Sequence, residues 1–397
     1  MALEGDANKF FHNRAVTIFR ALSEEQYIAA DDAELRRAHV DRKHMQIADL
    51  LQEQGCEGVL LLDPANIAWL TGGGTVMASF DPEQAPALFV TADQRWLICS
   101  NAATSWVFDR EVNGLGFQLK EWPWQMGRGY LLRDICQGRV MASDLPFEDC
   151  KPLGHVLSCH RRRLGDYERA CLQSLGKELA SALEATCRNI QPNRSESEIA
   201  GQIADRLYQR NIEPKAISVL GDGRAEAYPF GGCTSETVQR HAVLWACGQK
   251  YGLHAACSRS FCFGAPEQLW RAEYDAACTM AGHYRFATRP NAAPREVLEK
   301  GKQALRDTPF EHVWRNVPPG YVTGRRPVEM TFRPNGSHLL QANWPIIWQA
   351  SAGRAFVCDT LLLGNDRAEV VTVMDSWPFK RIRIEAEEYH VPYLLVR

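Results

Sequence analysis

Two reactive side chains stand inside apolar runs in the second half of the chain: Arg259 in Leu253-His-Ala-Ala-Cys-Ser-Arg-Ser-Phe-Cys262, and Cys358 in Phe356-Val-Cys-Asp-Thr-Leu-Leu-Leu363. A guanidinium in such a place either holds a substrate carboxylate or pairs with a neighbouring acid such as Glu329 or Asp359. Cys257 and Cys358 become nucleophiles only as thiolates, which need a base or a positive neighbour, and His254 and His241 are the nearest histidines in sequence. The plainer reading of both is a buried, inert thiol. The chain has thirteen cysteines with no Cys-x-x-Cys pair among them, so neither a zinc knuckle nor a thioredoxin-type site can be drawn. Gly72-Gly-Gly74 and Gly221-Asp-Gly-Arg224 lack the spacing of a nucleotide cradle and read as turns. Arg161, Arg162 and Arg163 read as a solvated hinge rather than a nucleic-acid patch.

These residues need elements to position them. Apolar spacing predicts a helix over 33–55, ended by Gly55, and a buried strand at Gly58 to Asp63, followed by a turn at Pro64 and Asn66. Strand-like runs at 87–91, 96–100 and 139–142 complete an α/β first domain, assigned to residues 1–160, whose first thirty residues read as an arm or short helix. In the second domain, 161–397, helical spacing runs from Glu168 to Asn189, and Ser195-Glu-Ser-Glu198 has the form of a capping box. Strands follow at 216–220, 242–247, 255–263, 346–350 and 356–363, with helices near 272–286 and 295–305 between them. Helices first, then strands interrupted by two helices, predict an α+β domain with helices packed on a curved antiparallel sheet. Alternation along the strand around Arg259 puts Ala256, Ser258 and Ser260 on one face and Cys257 and Arg259 on the other, so only one set can line a pocket.

The 397 residues suit two domains, and 45% hydrophobic with 23% charged residues is an ordinary globular composition. A net charge of -3 gives no field favouring nucleic acid or an anionic membrane. No stretch has the roughly 20 apolar residues of a membrane span, and the first residues do not form a signal peptide, so a soluble, cytoplasmic protein is expected.

Three segments together resemble the creatinase, prolidase and aminopeptidase P family: Gly58-Val-Leu-Leu-Leu-Asp-Pro-Ala-Asn-Ile-Ala-Trp-Leu-Thr-Gly72, the basic junction leading to the Ser-x-x-Glu helix, and Gly252-Leu-His-Ala-Ala-Cys-Ser-Arg-Ser-Phe-Cys-Phe-Gly264. The resemblance covers roughly residues 35 to 375. It implies a pita-bread domain behind a smaller creatinase-type α/β domain, and a homodimer. The family's peptidases hold two divalent metals with two Asp, one His and two Glu, because hard oxygen donors with one imidazole suit manganese, cobalt or zinc. Carried over residue by residue, the two aspartates fall on Trp245 and Ala256, the histidine on Tyr321 and the glutamates on Gln349 and Cys358. A substrate-handling histidine falls on Val328, next to Glu329, which matches.

The metal-free route of creatinase is not retained either. Its histidine base falls on Tyr228 and its substrate-clamping glutamate on Ser258. The resemblance therefore implies a chain without metal or other cofactor, a pseudoenzyme that binds a peptide, small ligand or protein partner. The alternative is a metal-independent hydrolase or lyase for a small amino-acid-like or carboxylate substrate. It would use Glu329 or Tyr228 as acid or base, with Arg259 or Arg224 holding the carboxylate. Tyr321, Trp245, Ala256, Ser258, Val328, Gln349 and Cys358 would then surround the pocket, and Tyr228 and Tyr321 either line it or help Trp245 plug it.

Overall fold

The computed structural model describes residues 32–74, 82–228, 231–373 and 376–397. The arm expected over the first thirty residues lies outside this set. In the first domain, α1 (Ala33–Gln54) is capped by the Asp32 carboxylate and stopped by Gly55 at φ 60°, the left-handed backbone that glycine accepts readily. It leads to β1 (Gly58–Leu61). The turn expected at Pro64 and Asn66 is instead a helix, α2 (Pro64–Leu70): Asp63 caps it and proline occupies its first turn, where no N–H is needed. There follow β2 (Ala87–Val90), β3 (Arg95–Ser100), β4 (Gln118–Trp122), α3 (Gly129–Cys136), β5 (Met141–Ser143), β6 (Lys151–Pro152) and α4 (Gly154–Arg161). The strands form one mixed sheet in the order β4-β3-β2-β1-β5-β6, with β1 antiparallel to β2 and parallel to β5.

The second domain opens with α5 (Asp166–Asn189) and α6 (Glu196–Tyr208), the latter started by the expected Ser195/Glu198 capping box. Next come β7 (Glu213–Gly221), β8 (His241–Lys250), β9 (Leu253–Cys262), α7 (Gln268–Ala287) and α8 (Pro294–Ala304). The chain ends through β10 (Gly320–Val322), β11 (Met330–Thr331), β12 (Pro345–Ala352), β13 (Ala355–Leu363), β14 (Ala368–Val370), β15 (Phe379–Ile384), β16 (Glu387–Pro392) and β17 (Leu395–Val396). Strand β15 pairs with β16 as a separate antiparallel hairpin, and two main sheets result, ordered β17-β9-β8-β7 and β11-β10-β12-β13-β14. They meet where β9 approaches β13, and side-chain hydroxyls stitch the seam. Thr360 Oγ1 donates to the Ala256 carbonyl and accepts from the Ala256 N–H, while Ser258 Oγ donates to the Phe356 carbonyl and accepts from the Cys358 N–H. Helices α5 and α6 cover one sheet and α7 and α8 the other, each burying its own apolar core.

The domains are joined by buried charge rather than by a solvated hinge. Arg161 is 4% exposed, donates to both Glu329 carboxylate oxygens and reaches Asn66 Oδ1 at 2.8 Å. Its burial corrects the hinge reading of the arginine run. Nearby, Glu168 at the start of α5 is met by Lys43 of α1 at 3.3 Å and Arg325 at 2.7 Å. Burial alone would raise the Glu168 carboxyl, but these two cations hold it well below the usual carboxylate range.

Within the second domain, Arg259 points away from the seam and is fully enclosed, bonded to Glu184 of α5 at 2.9 Å and Asp359 of β13 at 3.2 Å. Arg285 of α7 binds the other Asp359 oxygen at 2.5 Å, and Thr372 donates to the first. One carboxylate thus ties both sheets to α7. Removing one partner of a buried pair leaves a charge uncompensated, so Asp359→Ala is expected to cost about 3–5 kcal/mol in urea unfolding. A loss under about 1 kcal/mol would show that apolar packing alone holds these elements.

Candidate functional site

The seam brings together all five positions that the resemblance assigns to metal ligands. Trp245 on β8, Ala256 on β9, Tyr321 on β10, and Gln349 and Cys358 on neighbouring strands β12 and β13 lie on the face opposite Arg259. Ala256, Cys358, Trp245 and Tyr321 belong to one small apolar cluster with Leu220, Val243, Cys247, Ile347 and Phe356. Gln349, paired across the strands with Cys358, is 4% exposed. Strand alternation sorts the side chains: Ala256 and Ser258 face this cluster, while Cys257 joins the core under α5. Beside Trp245, a cavity lined also by Ser218, Leu220, Val243, Ser351 and Phe356 measures about 10 Å³, room for about one water.

The electrostatics match this packing. Burial raises the Cys358 thiol well above its ordinary range and pushes Cys247 and Cys257 up to about 12. Burial likewise raises the Tyr321 phenol. All four therefore stay protonated near neutral pH, when neither a nucleophile nor an anionic ligand is available from them. A dinuclear centre of hard dications does not fit this donor set, which offers an indole, a methyl, a phenol, an amide and a thiol where carboxylates are required. Among the described residues, no group of three or more His, Cys, Asp and Glu side chains is placed to hold a metal ion.

The candidates for a metal-independent reaction are scattered. Glu329 is consumed by Arg161 at the domain junction, and its carboxylate also accepts from the Arg326 N–H. It does not pair with Arg259; of the two acids expected beside that guanidinium, Asp359 is the one present. Tyr228 is 57% exposed beside Arg224 and stands outside the apolar cluster, so of the two tyrosines expected to line or plug the pocket only Tyr321 is in it. Arg224 is held by Glu196, and Val328 is 45% exposed. Ser258 spends its hydroxyl on the seam. Neither histidine is an available base: His241 stacks on Trp270, and the His254 ring donates through Nδ1 to the Gly324 carbonyl at 3.0 Å. Burial lowers His254 to about 4 in spite of that bond.

Sequence reasoning did not anticipate the seam residue Thr360 or the buried anchor Glu184. The polar pair Asp359-Thr360 interrupting an apolar strand was the available signal for the first, and a lone acid on the apolar face of a helix for the second.

Two family models match the chain: Metallopeptidase family M24 over residues 170–337 and Creatinase/Prolidase N-terminal domain over residues 43–114. With this architecture around the site, the chain belongs to the creatinase and prolidase family of pita-bread proteins. No curated protein matches the sequence. Among solved structures, it is similar to the prolidase from Pyrococcus horikoshii OT3, with 14% identity and a TM-score of 0.71 over 84% of this chain and 99% of that one. It is also similar to dipeptidase PepE from Mycobacterium ulcerans, with 16% identity and a TM-score of 0.69 over 91% and 99%. A third is the N-terminal domain of FACT complex subunit SPT16 from Cicer arietinum, at 10% identity and a TM-score of 0.63 over 87% and 97%. At such identities the likeness establishes the fold alone. None of the described helices is long and apolar enough to cross a membrane.

Two outcomes check the site. Cys358→Glu, which returns a carboxylate to its place, is expected to lower stability by about 3 kcal/mol or more, because the charge would be buried without a partner, whereas Cys358→Ala should cost about 1 kcal/mol. Equal effects would mean that water or a cation reaches the position. For His254, the unfolded chain takes up a proton below 6.5 while the folded chain resists until about 4. Stability from this residue is therefore present above pH 6.5 and lost as pH falls toward 4, on the order of 1.4 kcal/mol per pH unit. His254→Asn, which keeps a donor for Gly324, should flatten the unfolding free energy in that window by this slope.

Proposed function

We propose that this chain is a non-catalytic member of its family, a pita-bread scaffold that acts by binding a peptide or protein partner. The observation that carries the reading is the packing at the positions the resemblance gives to metal ligands: Trp245, Ala256, Tyr321 and Cys358 lie in one apolar cluster with Gln349 paired beside Cys358, and none of them is a carboxylate. Indole, phenol, methyl and thiol groups give a charged substrate no anchor there, which favours the outer surface as the binding element. A pita-bread domain within a FACT complex subunit is a precedent for the scaffold as part of an assembly.

The metal-independent hydrolase has less support, because Glu329, Arg259 and Arg224 are each engaged in an ion pair and share no common partner. The test is elemental analysis of protein purified without chelator and then dialysed against manganese and zinc, followed by an assay on Xaa-Pro dipeptides. The expected result is far less than one equivalent of metal per chain and no release of proline. About two equivalents, or turnover of the dipeptides with or without metal, would overturn the proposal.

A further inference from the structure

The first domain carries a close thiol pair that the binding role leaves unused. Cys136 is the last residue of α3 and Cys150 directly precedes β6, and their sulfurs are 3.9 Å apart. Both are free and partly exposed, so a small reagent in solvent can reach them. The segment between β5 and Cys150 is exposed at Leu145, Pro146, Glu148 and Asp149, and Glu148 takes a left-handed φ of 41°. An exposed connection of this kind can yield the roughly 2 Å of movement that brings the sulfurs to bonding distance.

We propose that Cys136 and Cys150 are a redox modification site, a dithiol that a low-molecular-weight disulfide of the glutathione type converts into an intramolecular disulfide. The Cys150 thiol gives up its proton to solvent, and its sulfur attacks one sulfur of the reagent. The reagent's S–S bond breaks, and one thiolate leaves. Cys136 then loses its proton and attacks the Cys150 sulfur, expelling the second thiolate. Two protein thiols are oxidised, the reagent is reduced to two thiols, and the chain loses two hydrogens. Burial raises both thiols, Cys136 up to about 12, so the exchange is slow near neutral pH and the finished disulfide resists reduction.

The bond would act on the domain junction. It closes a loop of roughly 15 residues that contains β5 and Asp144. The Asp144 carboxylate accepts from the Leu62 and Asp63 N–H groups and from Asn66 Nδ2, and Asp63 and Asn66 in turn receive Arg161. Oxidation therefore restrains the strand that stands behind the interdomain arginine.

The test uses the full chain, treated with oxidised glutathione at mildly alkaline pH, alkylated, and read by intact mass and peptide mapping. The expected result is a loss of about 2 Da, a peptide linking Cys136 to Cys150, and a higher unfolding temperature that dithiothreitol reverses. Cys136→Ser and Cys150→Ser should each abolish the link, and Cys56→Ser, which removes the next nearest thiol, should leave it. A stable glutathione adduct on Cys150 with Cys136 still alkylated, a link from either residue to Cys56, or no oxidation would overturn the proposal. Mapping of the wild-type chain decides it even if a serine variant does not fold.

Discussion

Arg259 carries a permanent charge into a place closed to bulk solvent, and much of the second domain is arranged to meet it. A guanidinium stays protonated at any ordinary pH, so its five N–H donors must find acceptors inside the protein. Glu184, Asp359, the Ser258 carbonyl and the Thr372 carbonyl supply them, and they come from α5, β13, β9 and the segment after β14. Meeting these bonds fixes the helix on its sheet and one sheet against the other. The seam, and with it the pocket face of β9, is held in place from behind by this charge.

The same strand separates two opposite environments. One face of β9 holds a buried ionic network and the other meets a mainly apolar cluster, and the step between them is one residue of alternation. In the family's metallopeptidases the second face carries carboxylates that a pair of dications neutralises. Here the aligned acids fall on indole, methyl, amide and thiol, which require no compensating charge, and an apolar cluster forms in their place. Losing a single ligand would leave the remaining carboxylates buried without a counter-ion. Replacement at all five positions removes that penalty, which is a physical reason for the substitutions to occur together.

Buried charge recurs at the domain junction. Glu168 is met by Lys43 and Arg325, and Arg161 by Glu329, Asp63 and Asn66, each set drawing on both domains. Glu329, the acid that matches the resemblance, lies in this junction with both carboxylate oxygens on Arg161. Sequence reading put it in the pocket because the neighbouring motif matched; nothing along the chain shows that Arg161, far away in sequence, claims its carboxylate.

Helices and strands were legible because each depends on local order: apolar period, and caps such as Ser195 and Glu198. The period along β9 even divided Ala256 and Ser258 from Cys257 and Arg259 in advance. What local order does not carry is which long-range partner each polar side chain finds. Arg161 read as a solvated hinge residue and is buried, Pro64 read as a turn and begins a helix, and Tyr228 read as a pocket residue and faces solvent. The sequence by itself determined that none of the five positions the resemblance aligns with metal ligands carries a carboxylate. Only the tertiary structure decided that four of these side chains share one apolar cluster and that the buried acids and arginines hold one another, because packing and matching a charge both depend on atoms brought together from distant parts of the chain.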